Sequence, residues 1–273
     1  ELEKHWWDDM IPDDAVERLM DSAQKIGIAC ESAGVAEWEI FASQGYGNSL
    51  DIEAGKISMA SGGGEGGFGI RLVEDGRYGF AHLVDPSSAE RAIQQALSIA
   101  RKSPSIEGFE LPGNQSASSV SGMKDKAILD MGPEDLLEQG DQVLTRVTEL
   151  DSRAVAVGGG IGVGAGAGAI VTSSGIESGG VYTSHGIGIH VSIDEDDHLT
   201  SSYEGESSRG LLKDLTACVD KAVHWSQITR QKIDGGETED CPVLMTSDGF
   251  SPLFSVVVPS AIKGERLARG ESF

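Results

Sequence analysis

Six histidines and three cysteines are the side chains of this chain best suited to holding a metal, and their spacing argues against a shared site. His185 and His190 lie five apart in a segment of strand character, so they point to opposite faces and cannot grip one ion together. His198 closes the acidic run Asp194-Glu195-Asp196-Asp197, which lacks the spaced oxygen ligands and the turn glycine of a calcium loop. That run reads as a solvated hairpin tip. His82, set among apolar neighbours, reads as a core histidine, and Arg71, between Ile70 and Leu72, as an ion-paired or rim residue. Cys30, Cys218 and Cys241 form no Cys-x-x-Cys and sit in no nucleophile signature; they read as buried or free thiols of a reducing compartment. A G-x-S-x-G elbow is also missing.

Two glycine patterns imitate a dinucleotide fingerprint: Gly64 to Gly69, and Gly160 to Gly164 followed by Ala165. The fingerprint works only where it leaves a strand and opens a helix whose N-terminus cradles a pyrophosphate. Here the first pattern runs into a strand and the second continues as one, so both are backbone devices. With 21 basic and 44 acidic residues the net charge is −23, a surface that repels phosphate backbones and excludes nucleic-acid binding through a basic footprint. The charge-free run from Ala154 to Gly175 is long enough for a membrane span, but glycine at every second position from Gly158 to Gly168 gives a strand period with one face stripped. The segment Glu1 to Asp14 is acidic and lacks the apolar core of a signal peptide. A cytoplasmic protein with no membrane partner is expected.

The elements that must position these residues alternate between two periods. A helix is expected from about Asp14 to Ser32, then strands at Ala36–Ala42, Ser49–Glu53 and Lys56–Ser61. A hairpin follows at 67–85, turning at Asp75-Gly76, a pair suited to the positive φ of a type I′ turn. Its alternating residues Phe68, Ile70 and Leu72 on one strand and Tyr78, Phe80, His82 and Val84 on the other are expected to be its buried face. Asp85-Pro86 caps and opens a second helix reaching Lys102. Residues 116–130 read as a polar linker between an N-terminal α+β domain (1–115) and a second module (131–273). That module holds a helix from Pro133, long glycine-rich strands over 153–202, a helix from Leu211 to about Gln227, a break at Asp234-Gly235-Gly236 and a short strand at Pro242–Thr246. The fold class is α+β: an N-terminal antiparallel sheet packed with helices, then a glycine-rich, mostly β module with helices.

Residue by residue, the hairpin at 67–85 resembles the signature of the TldD/PmbA family, the so-called modulators of DNA gyrase, which includes metallopeptidases. The strand Ile170–Gly175 with its Ser-Gly turn, Tyr182-Thr183, Ser202–Arg209, Cys241-Pro-Val-Leu and Arg269-Gly-Glu-Ser-Phe are similar to further family landmarks. The metal-binding branch carries H-E-x-x-x-H on a helix between the last two landmarks, two ligands and a general base. In ungapped register those places fall to Ser255, Val256 and Ser260: hydroxyls where imidazoles would bind zinc, and a valine that accepts no proton. Pro259 argues further against a continuous helix there. The resemblance therefore implies the PmbA/TldE branch, with no catalytic residue, metal or cofactor in this chain. Zinc is expected in a TldD-type partner, in a heterodimer that trims or degrades peptides. The rival expectations are a self-associating scaffold that takes peptide strands along Val157–Ala169, and a regulator of DNA gyrase acting through protein contacts. Family members continue through a C-terminal β-rich, metalloprotease-like region, with a third ligand, a Cys, beyond the landmarks that these residues supply.

Overall fold

From Glu37 to Leu83 the chain folds back on itself twice, and each reversal has a local cause. The computed structural model describes residues 11, 13–113, 118, 120–195, 198–229, 240 and 242–272. It places β1 at Glu37–Glu53, β2 at Lys56–Glu74 and β3 at Arg77–Leu83. Ala54-Gly55 and Asp75-Gly76 turn with φ of 49° and 77°, and 53° and 68°. Positive φ at both central residues is type I′ geometry, whose twist matches that of the flanking strands. The strands are longer than their hydrophobic patterns suggest. Segments expected to be separate fuse because the polar and glycine-rich stretches Ser43–Asn48 and Gly62–Gly67 are paired along their length.

The rest of the chain, as far as Ile228, adds helices to one side. α1 is Ala15–Ser32. Asp85 accepts a hydrogen bond from the Ser87 backbone N–H (2.9 Å) and caps a 3-10 turn, Pro86–Ser88, that leads into α2, Ala89–Ala100. Then come α3 (Lys126–Leu129), α4 (Pro133–Leu150), β4 (Ala154–Thr172), β5 (Glu177–Glu195), β6 (His198–Ser208) and α5 (Thr216–Ile228). α5 begins five residues later than its apolar pattern, because the N–H groups of Leu211 and Leu212 bond to Asp125 and His185 and not within a helix. Two helices, α6 (Ser247–Ile262) and α7 (Gly264–Ala268), follow. The strand expected at Pro242–Thr246 does not form: this stretch has no regular structure and ends where the Thr246 hydroxyl caps α6 by accepting from Gly249 N–H (3.1 Å). Asp234-Gly235-Gly236 lies outside the described residues.

The six strands among the described residues form one antiparallel sheet in the order β3-β2-β1-β4-β5-β6. The segments on either side of 116–130 meet in it, since β1 pairs with β4 from Glu39↔Thr172 to Glu53↔Gly158. Two apolar clusters lie on the same face. One packs Ile40, Ile70 and Leu72 under α1 and α2; the other packs Leu50, Ile161 and Ile189 under α4 and α5.

The hairpin buries the opposite set of β3 residues from the one expected. Gly79, Ala81 and Leu83 face the core, while Phe80, His82 and Val84 are exposed and Tyr78 is partly so. The reason is proximity: a Cβ on Gly79 would lie 1.8 Å from the Ala96 carbonyl oxygen of α2, so only a stripped strand face admits the helix. Phe80 instead lies across Gly69 of the neighbouring strand. Arg71 meets the ion-pair expectation, 3.1 Å from Glu39.

Asp151 ties three elements together at one end of the sheet. Its carboxylate accepts from the Arg153 backbone (3.0 Å), the Arg153 guanidinium (2.9 and 2.8 Å) and Gln227 (3.3 Å), linking α4, β4 and α5. These bonds, the Arg153 side chain foremost, hold the carboxyl well below the usual carboxylate range. The folded state therefore favours the ionised form. Its stabilisation is present above the unfolded carboxylate value near 4 and is lost as pH falls below it. Asp151→Asn is expected to cost about 1–2 kcal/mol at neutral pH. It should also flatten the acid limb of stability when urea midpoints are followed from pH 7 to pH 3.

Candidate functional site

The sheet face opposite the two clusters is paved with backbone. Gly160, Gly162, Gly164 and Gly166 of β4 stand beside Asp51, Ser49, Gly47 and Gly45 of β1, and beside Gly188, Gly186, Ser184 and Tyr182 of β5. This face contributes no residue to either apolar cluster. The alternation read from sequence thus does strip one face of β4, as a strand period requires. Both edges of β4 are taken, however, by β1 and β5. Strand addition along Val157–Ala169 is excluded, because no backbone donor or acceptor row is left there.

At the middle of the open face lies a trough of about 580 Å³. Ser49, Ser61, Ser184 and Ser207 line it over Gly162 and Gly186, and the Ser49 and Ser61 hydroxyls are 3.0 Å apart. Tyrosine side chains reach over glycines along its flanks. A Cβ on Gly166 would fall 2.5 Å from the Tyr182 ring, and one on Gly188 2.5 Å from the Tyr203 hydroxyl. Arg209 stacks over Tyr182, its guanidinium carbon 5.1 Å from the ring centroid. Chemically this is a shelf of hydroxyls over a glycine floor, with one cation beside it. Among the described residues no histidine bonds to a serine or cysteine side chain, so the trough holds no activated nucleophile.

Directly beneath it is a buried polar node. His185 is fully buried; its Nδ1 accepts from Leu212 N–H (3.0 Å), which leaves the proton on Nε2, 3.2 Å from the Gln139 Oε1. Burial pushes its pKa down. Thr183 receives Asp125 N–H (2.9 Å) and donates to the Arg209 carbonyl (2.6 Å). Asp125 accepts from Leu211 N–H (2.8 Å) and Ala127 N–H (2.9 Å), and these bonds, Leu211 first, lower its pKa. Asn48, across Val163 from His185, keeps its Nδ2 buried with no partner among the described residues. Sequence reading missed this node. Asp125 two residues before Ala127 carries a cap signal, but its bond to Leu211, 86 positions away, has none.

The other candidates fall apart in space. His185 points into the helix-covered side and His190 to the open side, the opposite faces their spacing requires. His82 is exposed on β3, not in the core. His198 opens β6 after the Asp194–Glu195 end of β5, and Asp196-Asp197 lies outside the described residues. Cys30 and Cys218 are buried, with burial pushing their thiols up to about 12 and about 11, which makes them poor nucleophiles. Cys241 lies outside the described residues. Among the described residues no three His, Cys, Asp or Glu side chains cluster closely enough to hold a metal. No described helix is long and apolar enough to cross a membrane.

The motif positions do sit on a helix. Contrary to the expectation drawn from Pro259, α6 runs continuously through both Pro252 and Pro259. A proline removes one N–H and frees one carbonyl, and on a helix whose Ser251–Val257 stretch is exposed, water can satisfy that carbonyl. Ser255 turns its hydroxyl back onto the Pro252 carbonyl (3.0 Å), and Val256 is 68% exposed. Ser255, Val256 and Ser260 do not fit a zinc ion: two neutral hydroxyls and a hydrocarbon provide neither ligands nor a base.

Residues 38–100 match the family described as PmbA/TldA metallopeptidase domain 1. An uncharacterized protein of Methanocaldococcus jannaschii is 26% identical over 162 residues, covering 59% of this chain and 35% of the relative. Among solved structures, TldE from Thermococcus kodakarensis superposes with a TM-score of 0.64 at 22% identity over 77% of this chain. A candidate modulator of DNA gyrase from Bacteroides thetaiotaomicron does so with 0.65 at 19% over 78%. The match covers 47% and 50% of those structures, so the chain spans about half their length. The domain 1 match falls on the three-stranded hairpin unit and α2, so residues 38–100 are similar to a PmbA/TldD-family domain, and the chain shares the α+β fold of these neighbours.

Proposed function

We propose that this chain is the non-metal-binding, TldE/PmbA-like member of a two-subunit peptidase. It would pair with a TldD-type subunit that carries the zinc, and help to hold an extended peptide for cleavage by that partner. The observation that carries this reading is the identity of the α6 residues at the motif places, Ser255, Val256 and Ser260. The open face supports the second part: a glycine floor lined by serine hydroxyls leaves room for an extended backbone whatever its side chains. The likeness to TldE agrees with this assignment, and the net charge of −23 favours protein over DNA as partner.

Co-purification from native lysate followed by mass spectrometry and metal analysis tests the proposal. A partner bearing H-E-x-x-x-H is expected, with zinc and peptide cleavage present in the complex and neither in this chain alone. Stoichiometric zinc and cleavage by the isolated chain would end the proposal. Unaltered DNA supercoiling on addition of the chain to gyrase at physiological salt is the matching expectation against the gyrase reading.

A further inference from the structure

The outer edge of β2 is paired over only part of its length. β3 runs beside Phe68–Glu74 and stops, so among the described residues the stretch from Lys56 to Gly67 has no strand on its outer side. Neighbouring edges are protected. Thr183 N–H on the free part of β5 is taken by the Met123 carbonyl (2.8 Å), and β6 carries Glu204 and Glu206, like charges that repel an incoming strand. The open part of β2 has no proline, and its charges, Lys56 and Glu65, stand near its two ends. Neither forms an ion pair among the described residues.

We infer that a second copy of this chain adds to this edge, antiparallel, about a two-fold axis at Ser61. The register follows from the composition. β2 contains one extra residue, Ser58: on β1, Asp51 faces Met59 and the next residue, Ile52, faces Ile57. With Ser58 set aside, a dyad at Ser61 puts Ala60 opposite Gly62, Met59 opposite Gly63, Ile57 opposite Gly64 and Lys56 opposite Glu65. Each pair shares a sheet face, as directly opposed residues must. Lys56 and Glu65 lie on the open face with their β1 partners Glu53 and Gly45; Ile57 and Gly64 lie on the other face with Ile52 and Tyr46.

Opposed residues are the closest side-chain neighbours across two strands. In this register the side chain of Met59, 55% exposed, meets the place over Gly63, where a built Cβ has nothing within 4 Å. Two opposite-charge pairs bracket the seam. Moving the dyad by one residue, to Ala60 or Gly62, sets Lys56 against Gly63 or Gly67 and loses both pairs. The edge is therefore complementary to itself in charge and in volume at one register. This surface and partner are separate from the peptidase reading and do not depend on it.

Sedimentation over a concentration series at physiological salt should show a monomer–dimer equilibrium. Lys56→Glu and Glu65→Lys should each weaken it about tenfold or more, and the double exchange should restore it, since opposite charges again face each other. Ser61→Cys, facing its own copy at the dyad, should give a disulfide-linked dimer on mild oxidation. Ser178→Cys on β5 should not. A monomer at every concentration, a dimer indifferent to the charge changes, a double exchange as weak as the singles, or no cross-link at residue 61 overturns the inference. If a charge variant loses its circular-dichroism signal, the cross-link decides alone.

Discussion

Replacing Gly79 by alanine is expected to destabilise the fold by about 3 kcal/mol or more, an unusual cost for adding one methyl. The added Cβ would sit 1.8 Å from the Ala96 carbonyl oxygen and 2.8 Å from the Ala100 nitrogen, both backbone atoms of α2. Neither is the end of a flexible side chain, so the whole helix must lift from β3. Lifting it opens the cluster around Ile93, Ile70 and Leu72, all within 1% of full burial. Urea unfolding followed by circular dichroism measures the loss. Gly63→Ala is the control: nothing lies within 4 Å of its Cβ, and its effect should stay below about 1 kcal/mol. Equal effects at the two sites would show that the close contact of α2 with β3 is wrong.

Truncating His185 to alanine is expected to cost about 3–4 kcal/mol. The change strands the Leu212 N–H and the Gln139 amide, and leaves a cavity under the trough. The pH dependence separates this from simple loss of volume. Burial lowers the imidazole pKa in the folded state, so the unfolded chain takes up the proton first. Stability is therefore full above the unfolded value of about 6.5 and declines as pH falls from there toward the lower folded value. The His185→Ala chain should lack that decline. Stability measured at pH 7.5, 6.5 and 5.5 checks it, and an identical slope in both chains would refute the neutral, buried role of His185.

Much of the architecture is legible in the residues because its causes are local. Asp75-Gly76 fixes a turn, Asp85-Pro86 starts a helix, and alternating glycines mark β4 as a strand. What the sequence conceals depends on partners far along the chain. Alternation in β3 allows either face to be buried, and size preference points to Tyr78, Phe80 and Val84; the approach of α2 selects the small set instead. The same holds for the helix residue Gly27, where a Cβ would fall 2.3 Å from the Trp38 ring. Pattern alone also favoured an early start to α5 and gave no sign that Asp125 and His185 claim its first N–H groups. As for the candidate site, the absence of ligands at Ser255, Val256 and Ser260 was readable directly, whereas the trough arises only when five strands are laid side by side.

The joining of β1 to β4 has a kinetic consequence. Glu53 and Gly158, the nearest pair in that ladder, are separated by more than a hundred positions, whereas β1–β2 and β2–β3 close through two-residue turns. Loop closure over such a span has an entropic cost before the contacts it brings together can compensate. The two hairpin units can therefore zip early and on their own, while the docking of β4 against β1 sets the slow step. Until it occurs, the facing edges of β1 and β4 remain open together. The interval between synthesis of the first three strands and arrival of the fourth is when this chain is most exposed to pairing with the wrong neighbour.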